Sequence, residues 1–200
     1  ENPAWESVLD VDELAKVDKV TWVYKGKKVL YVGPNSTHNN TRCLISLSKG
    51  GADAVEIREF DLLTKTFVTK EKGGFFVPEC KSRVSWRDQD TIFIGTKIAE
   101  NDLTDSGYPR TVRKWKRGTP LESSTIIYEG EKSKYKIGNT FCEYDSDSNN
   151  SHNAHHIGDV SVTGYFSQAH GYQYEVVHRA ITFYEYEYFV REVSSNYAQE

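Results

Sequence analysis

The sequence contains no methionine and only three cysteines. Lacking an initiator Met and starting with the acidic, mixed stretch "ENPAWESVLDVDELAK", the chain reads as an excised or processed piece. That start also lacks the apolar h-region of a signal peptide. No apolar run approaches the roughly 18–20 residues that a membrane-spanning helix requires, so no membrane partner is expected. Cys43, Cys80 and Cys142 are isolated, with no C-x-x-C spacing. Their odd number argues against a disulfide framework, the alternative being one bridge and one free thiol. Positive charge is also in short supply: 25 Lys and Arg stand against 29 Asp and Glu, a net charge of −4. A dedicated nucleic-acid-binding domain would be basic, and none is expected here.

Aromatic residues are plentiful. They make up 13% of the chain, with 13 Tyr and 9 Phe, a load that suits strands better than helices. After "WESVLDVDELAK", which reads as one or two helical turns, strand patterns follow one another: "VTWVYKG", "KKVLYVG", "RCLISLS", "DAVEIREF", "RVSW", "TIFIGT", "TVRKWKRG", "STIIYEGE", "DVSVTGYF" and "YEVVHRAITFYEYEYFVRE". Turn formers separate them: "SKGGAD", "EKGG", "RDQD", "SGYP" and "RGTP". Short strands without intervening long helices predict an all-β fold. Strand–turn–strand units centred near Val55, Val112 and Val177 recur at offsets of about 57 and 65 positions, close to kelch-like repeat lengths. The expected architecture is two to three blades of four-stranded antiparallel sheet, part of a β-propeller. Residues 1–20 form a helical lead-in, 21–143 the blades, 144–159 a polar His/Asp/Asn/Ser loop, and 160–200 further blade strands.

The stretch "TDSGYPRTVRKWKRGTPL" (104–121) places five basic side chains in eight positions around Trp115. Thr111, Arg113, Trp115 and Arg117 share one strand face, and Val112, Lys114 and Lys116 the other. Neither face is cleanly apolar, which predicts a strand near a blade edge, where Lys and Arg discourage unwanted pairing. Trp86 in "RVSW" and Phe60 in "REFD" are expected to be buried between neighbouring sheets.

Other chemistry is weakly supported. His152, His155 and His156 lie near Asp145, Asp147 and Asp159, but their spacing matches no zinc pattern, and a solvated loop without metal is expected. His38, His170 and His178 are dispersed and read as structural. Glu56 with Glu59, or Glu185 with Glu187, could pair as carboxylates, yet acidic residues on exposed strands are common. "SKGGAD" lacks the lysine-bearing phosphate-loop pattern and suits a hairpin turn. No cofactor is expected. Three sequons, at Asn35, Asn39 and Asn149, would carry glycans if the chain is extracellular.

Four stretches in order, "LISLSKGGADAVEIREFDLLTKTFV", "GGFFVPECKSRVSWRDQDTIFIGT", "LTDSGYPRTVRKWKRGTPL" and "IIYEGE", resemble the N-terminal β-propeller of the prolyl oligopeptidase family, bacterial-type members in particular. "VSVTGYF" and "HRAITFYEYEYF" look similar to a following blade, whereas "CEYDSDSNNSHNAHHIGD" matches nothing expected there. The resemblance implies a two-part serine peptidase, with a seven-bladed propeller covering an α/β-hydrolase domain that cleaves short peptides, often after proline. It also implies a cytoplasmic or periplasmic location. This chain has no G-x-S-x-G nucleophile elbow. Ser167 in "GYFSQAHG" is the nearest look-alike and lacks the second Gly, so no catalytic residue carries over and the chain alone is expected to be inactive. Two functions lead: a gating scaffold whose partner is the hydrolase domain of the same protein, or a stand-alone structural protein that self-associates through exposed β edges; a third and weakest, a metal-binding module, rests only on the His loop.

Overall fold

The computed structural model describes residues 4–30, 41–132, 134–137, 140–143, 154–157, 161–169, 172–182 and 184–193. One helix, α1 (Val11–Asp18), precedes the strands. Asp10 caps it by accepting from the Asp12 and Glu13 amides at 2.9 and 3.0 Å, and Lys19 ends it in the left-handed region at φ 55°.

Four antiparallel sheets follow. The first contains β1 (Trp22–Val29), β2 (Arg42–Lys49), β3 (Val55–Asp61), β4 (Thr66–Phe67) and β5 (Phe76–Cys80), in the order β1-β2-β3-β4, with β5 also paired to β3. The second is a meander of β6 (Arg83–Asp88), β7 (Thr91–Gly95), β8 (Thr111–Lys116) and β9 (Thr125–Glu129). The third comprises β10 (Lys134–Ile137), β11 (Thr140–Glu143) and β12 (Ala154–Ile157), in the order β11-β10-β12. The fourth is β13 (Ser161–Ala169), β14 (Tyr172–Ala180) and β15 (Tyr186–Glu192).

The apolar runs explain the stacking. In β2, Cys43, Ile45 and Leu47 point toward α1, where Leu9, Val11 and Leu14 cover them, while Leu44 points toward the second sheet. In β7, Ile92 and Ile94 meet the first sheet and Phe93 meets Val162 of the fourth. Strands sandwiched between two neighbours lose the apolar–polar alternation of a half-exposed sheet and read as continuous hydrophobic runs, as "LISL" and "TIFI" do. Trp86 and Phe60 are both buried, Trp86 between the first and second sheets as expected, but Phe60 under α1 and not between sheets, because its side of β3 faces the helix. Trp86 stacks edge-on against Phe75 at 5.8 Å, and its indole N–H donates to the Lys28 carbonyl of the first sheet at 2.8 Å. Phe60 meets Phe67 at 5.1 Å on the α1 side. Burying each such ring stabilises the fold by roughly 2–3 kcal/mol.

Four other expectations change. Only the second sheet has the expected four strands; the first has five and the others three each among the described residues. β8 is not at an edge, since it pairs with β7 on one side and β9 on the other, and Arg113 and Trp115 are buried. The polar stretch 144–159 is not loop throughout, because Ala154–Ile157 pairs with β10. The sequence period also shifts: Val55 and Val112 lie on the third strand of their sheets, but Val177 lies on the second strand of its own.

Candidate functional site

β1, β6 and β13 each open a sheet, and they lie together: β1 meets β6, and β6 meets β13. Glycine is required at this junction. A Cβ on Gly164 of β13 would come within 2.5 Å of Val112 Cγ1, while its carbonyl accepts from Ser85 Oγ of β6 at 2.6 Å. Beside it runs a trough of about 370 Å³ past Lys25, Lys27, Lys28, Arg83, Tyr108 and Thr163. It leads into a depression of about 270 Å³ that shares Arg83, Tyr108 and Thr163 and adds Ser161, His178 and Tyr186.

Tyr108 sits at the meeting point of the two. Its hydroxyl donates to Asp53 Oδ2 at 2.9 Å, a bond that raises the phenol's pKa because ionisation would lose it. Lys81 and Arg83 lie over its ring, 4.5 and 5.1 Å from the centroid. Tyr108 belongs to the β7–β8 connection, which Asp102 organises. The buried Asp102 carboxylate accepts from the Ile98 and Ala99 amides at 3.0 and 2.6 Å and from Arg113 at 2.9 Å. Burial opposes its ionisation, yet these donors hold its pKa below the ordinary value. Arg110 extends the same connection, donating to the carbonyls of Asn101 and Gly130, both at 2.6 Å.

The basic cluster of 110–117 is therefore largely internal. Arg113 pairs with Asp102, Arg110 with Glu129, and Arg117 with Glu59. Lys114 reaches Glu175 of the fourth sheet at 2.5 Å. A second groove, of about 410 Å³, lies between Lys70, Phe75, Pro78, Trp115 and Leu121.

The other candidates are scattered. Glu59 is fully buried and bound by Arg42, Arg117 and the Phe75 amide, while Glu56 pairs with Arg58 and Glu187 with Arg179. Glu59 links the first sheet to the second through Arg117, whereas Glu56 and Glu187 pair within their own sheets, so these carboxylates are engaged by cations and are not poised as an acid/base pair. Ser167 lies within β13, opposite Tyr174, and not on a strand-to-helix turn. Cys43 and Cys80 are both free thiols; burial raises the Cys43 pKa to about 11 and leaves it unreactive. His178 stacks on Tyr186 and Tyr188 at 5.0 and 4.9 Å, a structural placement. The backbone of His155 and His156 lies on β12, and that of Cys142 on β11. The sequon positions Asn35, Asn39 and Asn149, with His38, His152 and His170, lie outside the described residues. Among the described residues no three His, Cys, Asp or Glu gather as a metal site. The trough cations escaped the reading of the sequence, although the lysine-rich "YKGKK" was a visible signal.

Residues 1–148 match the family model for the prolyl oligopeptidase N-terminal β-propeller domain. An uncharacterized peptidase of Sinorhizobium fredii is 40% identical over 131 residues, covering 66% of this chain and 17% of that protein. An uncharacterized peptidase of Rickettsia prowazekii is 34% identical over 146 residues, covering 68% of this chain and 19% of that protein. The chain thus spans under one fifth of the length of these curated relatives. Among solved structures, a post-proline cleaving enzyme from Rickettsia typhi superposes with a TM-score of 0.67 at 22% identity, covering 96% of this chain and 26% of that one. At that identity the likeness speaks for the fold, and it agrees with the stacked antiparallel sheets. The chain belongs to the prolyl oligopeptidase family, through the N-terminal β-propeller domain of that family.

Proposed function

We propose that these sheets are the opening blades of a propeller that serves as a non-catalytic scaffold and gate, admitting short peptides to a hydrolase domain elsewhere in the same protein. The observation that carries this reading is the stacking itself. The first, second and fourth sheets lie face to face with their first strands, β1, β6 and β13, brought together, as blades around an axis require. The test compares two proteins. Joined to its hydrolase domain, the propeller should permit cleavage of short proline-containing peptides and exclude folded substrates. The isolated chain should neither turn over such peptides nor be labelled by a serine-directed fluorophosphonate, since its sequence carries no G-x-S-x-G nucleophile elbow. Labelling of the isolated chain, with turnover, would overturn the scaffold reading.

A second reading, self-association, is favoured by β15. This strand is exposed on both faces, with Tyr186, Tyr188, Phe189 and Val190 open to solvent, and its outer edge has no strand paired to it among the described residues. Sedimentation of the isolated chain decides between them: a monomer across micromolar concentrations refutes assembly.

A further inference from the structure

The trough among β1, β6 and β13 carries a charge opposite to that of the chain as a whole. The chain has a net charge of −4, yet Lys25, Lys27, Lys28 and Arg83 all line this one feature. Its one lining carboxylate among the described residues, Asp53, is engaged by the Tyr108 hydroxyl. Among those residues, Lys27, Lys28 and Arg83 have no carboxylate partner, and Lys25 donates to the Gly51 carbonyl at 3.2 Å. Arg83 differs in this from Arg42, Arg58, Arg87, Arg110, Arg113, Arg117 and Arg179, which all pair with acids. Arg83 is positioned nonetheless: its guanidinium rests 5.1 Å from the centre of the Tyr108 ring. Stacking on an aromatic face orients the planar donor fork while leaving its N–H groups available. A concave wall whose four cations outnumber its one carboxylate also concentrates negative charge from solution.

The shape selects among anions. The 370 Å³ trough opens into the 270 Å³ depression, where Ser161 and Thr163 offer hydroxyls and His178 and Tyr186 present stacked rings. A lone small anion would fill a fraction of this volume. An extended chain with carboxylates at one end and apolar or amide groups at the other would use all of it. We propose that this trough is a docking subsite for an acidic peptide segment, with Arg83, Lys27 and Lys28 contacting its carboxylates and Tyr108, His178 and Tyr186 its backbone and side chains. The proposal concerns binding and stands whether or not a hydrolase domain acts on the peptide.

The test uses the chain itself and reads amide chemical shifts by NMR. The probe is acetyl-Ala-Glu-Glu-Ala-amide, compared with its Gln-Gln counterpart and with inorganic phosphate. The acidic peptide should saturate shifts at the Lys27, Lys28, Arg83 and Tyr108 amides, and the affinity should fall as salt rises from about 50 to about 300 mM. Arg83→Gln should weaken binding by about five-fold or more, as loss of a charge-assisted contact does. Lys27→Gln should act in the same direction. Both side chains are exposed, so neither substitution threatens the fold. Lys116→Gln, on β8 and outside the trough, should change the affinity by less than about two-fold. Equal binding of the Gln-Gln peptide, phosphate as tight as the acidic peptide at the same amides, or unchanged affinity in both trough variants would each overturn the proposal.

Discussion

Arg117 lies in the turn after β8 of the second sheet, yet its Nη1 donates at 2.8 Å to Oε2 of Glu59 on β3 of the first. The same guanidinium sits 4.6 Å from the centre of the Phe75 ring and donates to the Gly73 carbonyl at 2.8 Å. Glu59 is wholly buried, and its remaining donors are Arg42 and the Phe75 amide. One ion pair thus ties two sheets through a turn that the sequence shows only as "KRGTP".

Removing Arg117 should therefore be costly. Arg117→Ala leaves a buried carboxylate served only by Arg42 and one amide, and the expected loss is about 2–3 kcal/mol of unfolding free energy. Arg117→Lys should recover part of it, because an ammonium cannot reproduce the fork. Urea unfolding measures both; a loss under about 0.5 kcal/mol for the alanine variant would show that Arg42 suffices.

Truncating the buried rings should cost more. Trp86→Ala and Phe60→Ala each open a cavity in a different cluster, and each should destabilise by about 3–5 kcal/mol. Because the clusters lie on opposite faces of the first sheet, the double variant should be close to additive. A loss below about 1 kcal/mol at both positions would contradict the packing described.

Glu175 sets an acid limit. Burial alone would raise its pKa, but hydrogen bonds from Lys114, Arg191 and Arg87 outweigh burial and hold it at about 2, against an ordinary 4.5. The folded pKa is depressed, so the stabilisation is complete above about pH 4.5 and is lost as pH falls toward about 2. Glu175→Gln should be less stable than the parent at neutral pH, by on the order of 3 kcal/mol, with the gap closing through that acid window. Denaturant titrations at several pH values check it; a gap that stays constant down to pH ~2 would show that the shift is absent.

Gly164 allows a close approach between the second and fourth sheets. Gly164→Ala would drive a methyl against Val112 Cγ1 and should cost about 1–3 kcal/mol. The companion change Val112→Ala should relieve part of that cost, since it removes the clashing methyl. Thermal unfolding of the single and double variants reads the relief; no recovery in the pair would place the strain elsewhere.

Much of this architecture was legible in the sequence, and what was missed has a physical pattern. "LISL" and "TIFI" announced strands buried on both faces, and "REFD" and "RVSW" announced their anchors. The position of β8 was not legible, because its arginines look like edge protection until Asp102, Glu59 and Glu129 are seen to receive this cluster from other segments. β12 was hidden for a similar reason: "AHHI" has no strand period of its own, and its pairing with β10 spans the polar stretch before it. The trough was hidden most of all. Lys25 to Lys28, Arg83 and Tyr108 are dispersed along the chain and meet only because β1 and β6 open adjacent sheets.

The sandwiching of the second sheet has a consequence in time. A ribosome delivers Phe93 and Val112 well before Val162, the residue that closes over them from the fourth sheet. About 33 residues separate Glu129, where the second sheet is completed, from Val162, roughly 2–7 s of synthesis at ordinary rates. Through that interval one face of a completed sheet stands bare, and the β10–β12 segment between β9 and β13 lengthens it. A nascent chain of this design offers a sticky surface to whatever reaches it first, its own fourth sheet or a chaperone, and each residue added between Glu129 and Ser161 lengthens the wait.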